Sequence, residues 1–290
     1  MLSTRIAAPS AHGPSAAVLF ALVAGVLYTY WNLAGALVAH WAADQNYSHG
    51  FLILPLAAFF AWKRRGALAA LSPKPTWWGL VLVAGSLGLC AAGVAAAELF
   101  VARASFVGVV AGSLLFLYGR AHLRVLAFPV GLLLMTIPPP EILFNHVALP
   151  LQLFASRVGE LVLRTSGVPV LRDGNVLELV GMRLEVAEAC SGIRSIVALL
   201  AFALVIGELG GSMRQRWTLA ASTLPIAIVA NAGRVAFAGL AAHQWGPATA
   251  EGLLHATSGL VVFGLAVAAL MLVERAMSFR RASAVEECAG

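Results

Sequence analysis

The sequence predicts an all-α polytopic membrane protein of about eight transmembrane helices. A small outer-face cap, made of an amphipathic helix plus a short β-hairpin, interrupts the series. Three observations predict this. Of the 290 residues, 60% are hydrophobic and only 11% are charged, against about 25% charged in soluble domains. The apolar residues come in runs that approach the roughly 20 residues a spanning helix needs. The basic residues gather in alternate loops, the pattern the positive-inside rule gives a multi-pass chain. The whole chain, 1–290, reads as one membrane domain with residues 141–189 inserted as the cap.

Taken in order, the start from Met1 to Ser15 is polar and contains Pro and Ser. The run Ala16–Val38 is too long for the core of a signal peptide, so it reads as a first helix that is retained. A polar loop, Asp44-Gln-Asn-Tyr-Ser-His49-Gly, follows, and the second run, Phe51–Trp62, stops at Lys63-Arg64-Arg65. Runs three to five are Trp77–Ala97, Ala104–Tyr118 and Val125–Ile137. Pro138-Pro-Pro140 then ends helix continuation, because proline lacks the N–H and restricts the residue before it.

The cap differs in pattern. Glu141–Ser166 carries Asn145, His146, Arg157, Glu160 and Arg164 along an otherwise apolar helix, amphipathic or partly re-entrant. Val168–Ala187 reads as short strands: Asp173-Gly174-Asn175 supplies a tight turn, and Met182, Leu184 and Val186 alternate with Arg183, Glu185 and Ala187. Three further runs, Ile193–Ile206, Trp217–Ala242 and Ala256–Met277, complete the eight. Lys63-Arg64-Arg65, Arg120/Arg124, Arg214/Arg216 and Arg275/Arg280/Arg281 then mark the cytoplasmic side, which leaves the cap outside and both termini inside.

The net charge of +6 belongs to those loops. With no Gly-rich phosphate loop and no basic-aromatic stripe, nucleic acid is excluded as a partner. Cys90, Cys190 and Cys288 are too few and too scattered for a disulfide framework or a Cys-rich metal site, and no metal or cofactor is expected.

The segment Glu185-Val-Ala-Glu188-Ala-Cys190-Ser-Gly192-Ile-Arg194-Ser leads from the strands into the sixth helix. A thiol in the first turn of a helix meets backbone N–H groups without intrahelical partners and the positive end of the macrodipole, both of which favour the thiolate. Gly192 keeps the approach open and Arg194 adds positive charge. The competing reading of Cys190 is a small buried residue, inert and structural.

Charges inside spanning helices are costly and are functional candidates by default. Arg234, in Asn231-Ala-Gly233-Arg234, falls in the outer half of the seventh helix, and His255 at the outer start of the eighth. Together with Cys190 they place a thiol, a guanidinium and an imidazole at one membrane depth. Cysteine acyl transfer uses such a set: Cys190 attacks a carbonyl, His255 moves the proton, and Arg234 stabilises the oxyanion or orients the substrate. Alternatives stand beside these roles. His255 could be an ordinary interfacial histidine, and Arg234 could pair with a structural carboxylate such as Glu188.

On these residues the chain resembles the exosortase/archaeosortase family of polytopic membrane cysteine transpeptidases. The resemblance runs from Asn46-Tyr-Ser-His-Gly50 to about Phe263. It rests on Pro150-Leu-Gln-Leu-Phe-Ala-Ser156, Gly174-Asn-Val176, Glu185-Val-Ala-Glu-Ala-Cys-Ser-Gly-Ile-Arg194, Asn231-x-x-Arg234 and His255. It implies that Cys190, Arg234 and His255 form the catalytic set. It implies substrates as well: exported proteins with a C-terminal Pro-Glu-Pro motif, a spanning helix and a basic tail. Cleavage would pass through a thioester, with transfer to a surface acceptor. The implied setting is the bacterial inner membrane, with lipid around the chain and the site on the periplasmic face.

Five residues stand as further substrate-binding candidates: Arg194, Glu188, Asn231, His49 and Arg172. Arg194 either holds the thiolate or a substrate carboxylate, or braces the cap against Glu188 or Glu185. Arg172, like Arg183 and Arg157, either attracts the Glu of the substrate motif or is a solvated cap residue. His49 either lines the site or is an interfacial loop residue. Two rival classes remain, a polysaccharide or lipid-precursor transporter and a non-catalytic scaffold. A transporter calls for a polar path and midplane ionisable residues, and a scaffold leaves the Cys–Arg–His grouping unexplained. Hydrolysis and transpeptidation share the thioester and stay open.

Overall fold

The structure, a computed structural model, describes residues 16–44, 47–186, 193–210, 212–246 and 253–289. The chain divides into two compact units, Met1–Pro140 and Glu141–Gly290.

In the first unit, α1 (Ala16–Ala43), α2 (Gly50–Lys63), the short α3 (Arg65–Ala69), α4 (Trp78–Ala95), α5 (Leu99–Leu117) and α6 (Arg120–Leu132) follow in order. A 3-10 turn, Leu133–Thr136, extends α6. The α4–α5 pair is a tight hairpin: Ala97 takes a positive φ of 55° and the Glu98 carboxylate accepts the Phe100 N–H at 3.3 Å. Small residues let the two backbones approach. A Cβ on Gly79 would overlap the Phe116 backbone, and one on Gly93 would lie 2.7 Å from Ala102 N. Close approach of this kind replaces the hydrophobic drive that is missing between helices in lipid. The α1 helix joins the pair through a 2.7 Å hydrogen bond between the Tyr30 and Ser105 hydroxyls, beside a core of Val83, Cys90 and Val109.

In the second unit, α7 (Glu141–Thr165) leads to a three-stranded antiparallel sheet, β1 (Val170–Asp173), β2 (Val176–Leu179) and β3 (Met182–Glu185). The α7 stripe of Ala148, Gln152, Ala155, Ser156 and Leu163 is buried, a helical period that bears out the amphipathic reading. The helix ends in a Schellman cap. Gly167 (φ 78°) donates to Arg164 O at 3.1 Å, Val168 donates to Leu163 O at 2.9 Å, and Leu163 and Val168 share a core. Two-residue turns join the strands, with Asp173 opposite Val176 and Leu179 opposite Met182. Gly174 at the first central position (φ 60°) fits a type II′ turn, while Gly181 at the second (φ 81°) fits type II. The expected single hairpin is therefore two, because Val180-Gly181 turns the chain a second time.

The sheet's buried face, Leu177 and Leu179 with Val186 just beyond β3, packs with Ala155, Leu163 and Val235 into one core. A second core joins α8 (Ile193–Gly210), α9 (Met213–Trp245) and α10 (Leu253–Ala289) through Leu199, Ala203, Leu219, Ala227, Ala266 and Leu270.

The fold is a polytopic helical membrane protein with a small sheet, but the count of eight spans does not stand. Among the described residues five helices are long and apolar enough to cross a membrane: Phe20–Ala43, Trp78–Ala95, Leu99–Leu117, Met213–Trp245 and Thr257–Phe279. Two more apolar helices, Gly50–Lys63 and Ser195–Gly210, fall short of that length. The expected fifth span, Val125–Ile137, is divided. Its first part is the 13-residue α6, which carries Arg120 and Arg124, and the rest passes through the 3-10 turn. At about 1.5 Å per residue, 13 residues cover roughly 20 Å, well under a hydrocarbon core of about 30 Å.

Candidate functional site

The long α9 divides along its length between the two cores of its unit. Leu219, Ala227 and Ala230 pack with α8 and α10, whereas Val235 and Leu240 pack with α7 and the sheet. Asn231 and Arg234 fall at the changeover. Asn231 is buried, and Arg234 is half-buried with its Nε enclosed. Three residues apart, they share one side of the helix.

Depth follows from the helix itself. Trp217 and Trp245 are both exposed, at 71% and 65%. Their 28-residue separation corresponds to roughly 42 Å, close to the full thickness of a bilayer with its headgroup regions. Two exposed tryptophans so spaced match interfacial belts. Arg234 then lies roughly 16 Å in from the Trp245 end, too deep for easy escape to water along its own side chain.

The Arg234 guanidinium lies against Gly259 of α10. A Cβ at that glycine would sit 3.4 Å from Nη2 and 3.5 Å from Cζ. The bare backbone there leaves room for the planar fork. His255 belongs to the first turn of α10, four residues before Gly259, so the two positions lie one above the other on the same side of the helix. His255 is described by its backbone only.

Cys190 and Glu188 lie outside the described residues, as does the expectation that Cys190 occupies a first helical turn. What bounds their segment is described on both sides. Val186 donates its N–H to Asn175 O at 2.9 Å, and Asn175 Nδ2 donates to Val186 O at 3.3 Å. Val186 shares its core with Val235, the neighbour of Arg234. Beyond the segment, α8 begins at the buried Ile193, and its Ile196 packs in the core that includes Ala230. Both flanks of residues 187–192 therefore converge on the stretch of α9 that carries Asn231 and Arg234. Arg194 stands in the first turn of α8, again described by its backbone only.

The two remaining candidates are engaged in structural contacts. Arg172 donates from Nε to Glu160 Oε2 at 3.0 Å and from Nη1 to Gly174 O at 2.8 Å, which ties the first hairpin to α7. Glu160 also bridges to Arg164 at 2.8 Å. Arg183 pairs with Glu178 across β2 and β3 at 2.6 Å, and Arg157 is exposed. His49 belongs to the first unit, where its Nε2 lies 3.2 Å from Met135 O.

Three features escaped the sequence reading. Ser156, fully buried, lies with its hydroxyl 3.0 Å from both Leu153 O and Gly174 O, and so anchors the hairpin turn. Gly259 is the site's neighbour, and its only signal is its place one turn after His255. At the opposite end of α9, Arg216 pairs with Glu208 at 2.7 Å and Gln215 Nε2 donates to Glu274 at 3.0 Å. These contacts lock α8, α9 and α10 together. Among the described residues no group of three His, Cys, Asp or Glu side chains is placed to hold a metal.

Comparison with known proteins adds one positive finding. A protein-family model described as transmembrane exosortase (Exosortase_EpsH) matches residues 41–272. No curated protein and no solved structure matches the chain significantly.

Proposed function

From its membership of the transmembrane exosortase family, we propose that this chain is a membrane-embedded cysteine peptidase. It cleaves the C-terminal sorting segment of exported proteins, a Pro-Glu-Pro motif followed by a spanning helix and a basic tail. The observation that carries the reading is the convergence on α9. Arg234 is held between α9 and Gly259 of α10, one turn from His255, and both flanks of the Cys190 segment pack beside it.

The chemistry runs as follows. His255 accepts the Cys190 thiol proton, and the thiolate sulfur attacks the scissile carbonyl carbon. The C=O π pair moves to oxygen, and the negative charge that develops is met by the Arg234 guanidinium, rigid, planar and always charged. Collapse re-forms the carbonyl, breaks the C–N bond and sends the proton from His255 to the leaving amine. A thioester on Cys190 remains. An acceptor nucleophile, an amine or hydroxyl of the cell surface or else water, attacks it and restores the thiol. In this reading Asn231 and Arg194 hold substrate polar groups near the reacting bond, and Glu188 orients one of the cations. The gathering of basic residues in Lys63-Arg64-Arg65, Arg120/Arg124, Arg214/Arg216 and Arg275/Arg280/Arg281 supports a site on the periplasmic side of a bacterial inner membrane, with both termini in the cytoplasm.

The deciding experiment traps the acyl-enzyme. Purified chain in proteoliposomes, given a substrate with an affinity tag upstream of its Pro-Glu-Pro tail, should yield a hydroxylamine-labile adduct on Cys190. Cys190→Ala should yield none and leave the precursor uncleaved in cells. Cys190→Ser should be nearly as damaging, and His255→Ala should slow processing by a factor of roughly 10²–10⁴. Arg234→Lys should fail as well, because a compact ammonium does not reproduce the planar fork. Full processing by Cys190→Ala would overturn the reading and return a transporter or scaffold to first place.

A further inference from the structure

The first unit separates its charges between the two ends of its helices, with Arg103 beside Glu98 at the carboxylate end. Residues 1–140 contain two carboxylates, Asp44 and Glu98. Glu98 stands in the α4–α5 hairpin, and Asp44 follows α1. The other end of the same helices holds Lys63, Arg64, Arg65, Lys74, Arg120 and Arg124.

Backbone and ring contacts gather these cations. Lys74 donates its N–H to Tyr118 O at 3.0 Å, which pins the α3–α4 connection to the α5–α6 turn. A Cβ on Gly119 (φ 89°) would overlap Lys74 O, so only glycine lets the two segments meet this closely. Arg64, at the end of α2, sits 5.6 Å from the centroid of Phe128 on α6. Exposed Trp62, Trp77 and Trp78 stand at the same end, the last two stacked with centroids 4.4 Å apart. Basic side chains interleaved with tryptophan mark the level of the lipid headgroups.

Within this rim a cavity of about 270 Å³ opens, lined by Leu115, Leu123 and Ala127 and by Arg120 and Arg124. The two arginines are exposed and four residues apart on α6. Like charges at that spacing repel and destabilise a helix. Unlike Arg172, Arg183 and Arg216, neither makes an ion pair with a carboxylate among the described residues. Guanidinium groups over an apolar floor suit an anionic amphiphile: the phosphate takes the forks and the first carbons of the chains take the leucines. We propose that the α5–α6 groove is a binding site for the phosphate headgroup of an anionic phospholipid, held by Arg120 and Arg124.

The test uses the full chain in phosphatidylcholine nanodiscs, titrated with a headgroup-proximal fluorescent phosphatidylglycerol. Saturable binding is expected, and Arg120→Gln/Arg124→Gln should weaken it roughly tenfold or more. Ala127→Trp keeps both charges but fills the groove, and it should also release the lipid. Lys63→Gln/Arg65→Gln removes two rim charges that do not line the groove, and it should retain most of the binding. Equal losses in the two double variants, or unchanged binding by Ala127→Trp, would overturn the site in favour of diffuse attraction to the basic face. Soluble glycerol 3-phosphate should compete only weakly. Competition at parity with the lipid would show a free-phosphate site and overturn the assignment to lipid.

Discussion

A substitution series at Gly259 isolates the contact on which the candidate site turns. A Cβ at that position would lie 3.4 Å from Arg234 Nη2, 3.5 Å from Cζ and 3.8 Å from Nη1. Those are ordinary contact distances, so Gly259→Ala should keep processing near the wild-type rate. A further carbon extends about 1.5 Å beyond Cβ. Aimed at the guanidinium, it would fall within roughly 2 Å of Nη2, where carbon contacts are favourable only near 3.5–4.0 Å. A Gly259→Leu side chain turned toward Arg234 would therefore displace the fork by more than about 1 Å, a misplacement that can cost on the order of 10²-fold in rate. The assay is the initial rate of precursor cleavage in proteoliposomes, with each variant normalised to reconstituted protein. The decisive arm is a double-variant cycle. If Gly259→Leu acts through Arg234, it should add almost nothing in an Arg234→Ala background. Full additivity of the two losses would refute the reasoning, as would a Gly259→Leu variant that processes like wild type.

Other consequences are tested more simply. Cys190 should react with a membrane-impermeant thiol reagent added from the outer face and Cys288 should not; labelling of Cys288 in intact cells would overturn the proposed orientation. Gly79→Ala pushes a Cβ into the Phe116 backbone, whereas a Cβ on Gly88 of the same helix meets nothing within 4 Å. Thermal unfolding in detergent should show Gly79→Ala destabilised by about 1–3 kcal/mol, and Gly88→Ala no less stable than wild type, with a gain of up to about 1 kcal/mol.

Much of this architecture is written in local pattern, and the failures have identifiable causes. The amphipathic α7 and the first sheet turn were legible, because buried positions at helical spacing and an Asp-Gly-Asn turn are signals carried by neighbouring residues. The second turn was not. Val180-Gly181 interrupts an apolar stretch with a single glycine, and it is the positive φ of Gly181, 81°, and the pairing of Leu179 with Met182 that mark it as a turn. The span count failed for another reason: composition registers how apolar a run is, but not whether the backbone stays helical through it. Val125–Ile137 is apolar but for Thr136, yet its helix began five residues earlier, at Arg120, and gives way to the 3-10 turn from Leu133. Arg234 was legible as a charge where charge is expensive. Gly259 was not, because a glycine in an apolar helix looks like any other until a side chain from another helix is found on it.

The short helices also explain polar side chains that the sequence left ambiguous. A helix that ends before the far side of a bilayer leaves carbonyl groups without intrahelical donors, and hydrocarbon offers no replacement. Where α6 stops in its 3-10 turn, the Trp41 indole N–H donates to Thr136 O at 2.9 Å and His49 Nε2 reaches Met135 O at 3.2 Å. The Thr136 hydroxyl turns back on Leu133 O at 2.7 Å. Three carbonyls at the end of a truncated helix are thus met by three side chains, two of them from the α1–α2 region. Gly50 completes the fit, since a Cβ there would overlap the Trp41 ring. In this arrangement Trp41, His49 and Gly50 together allow α6 to stop short.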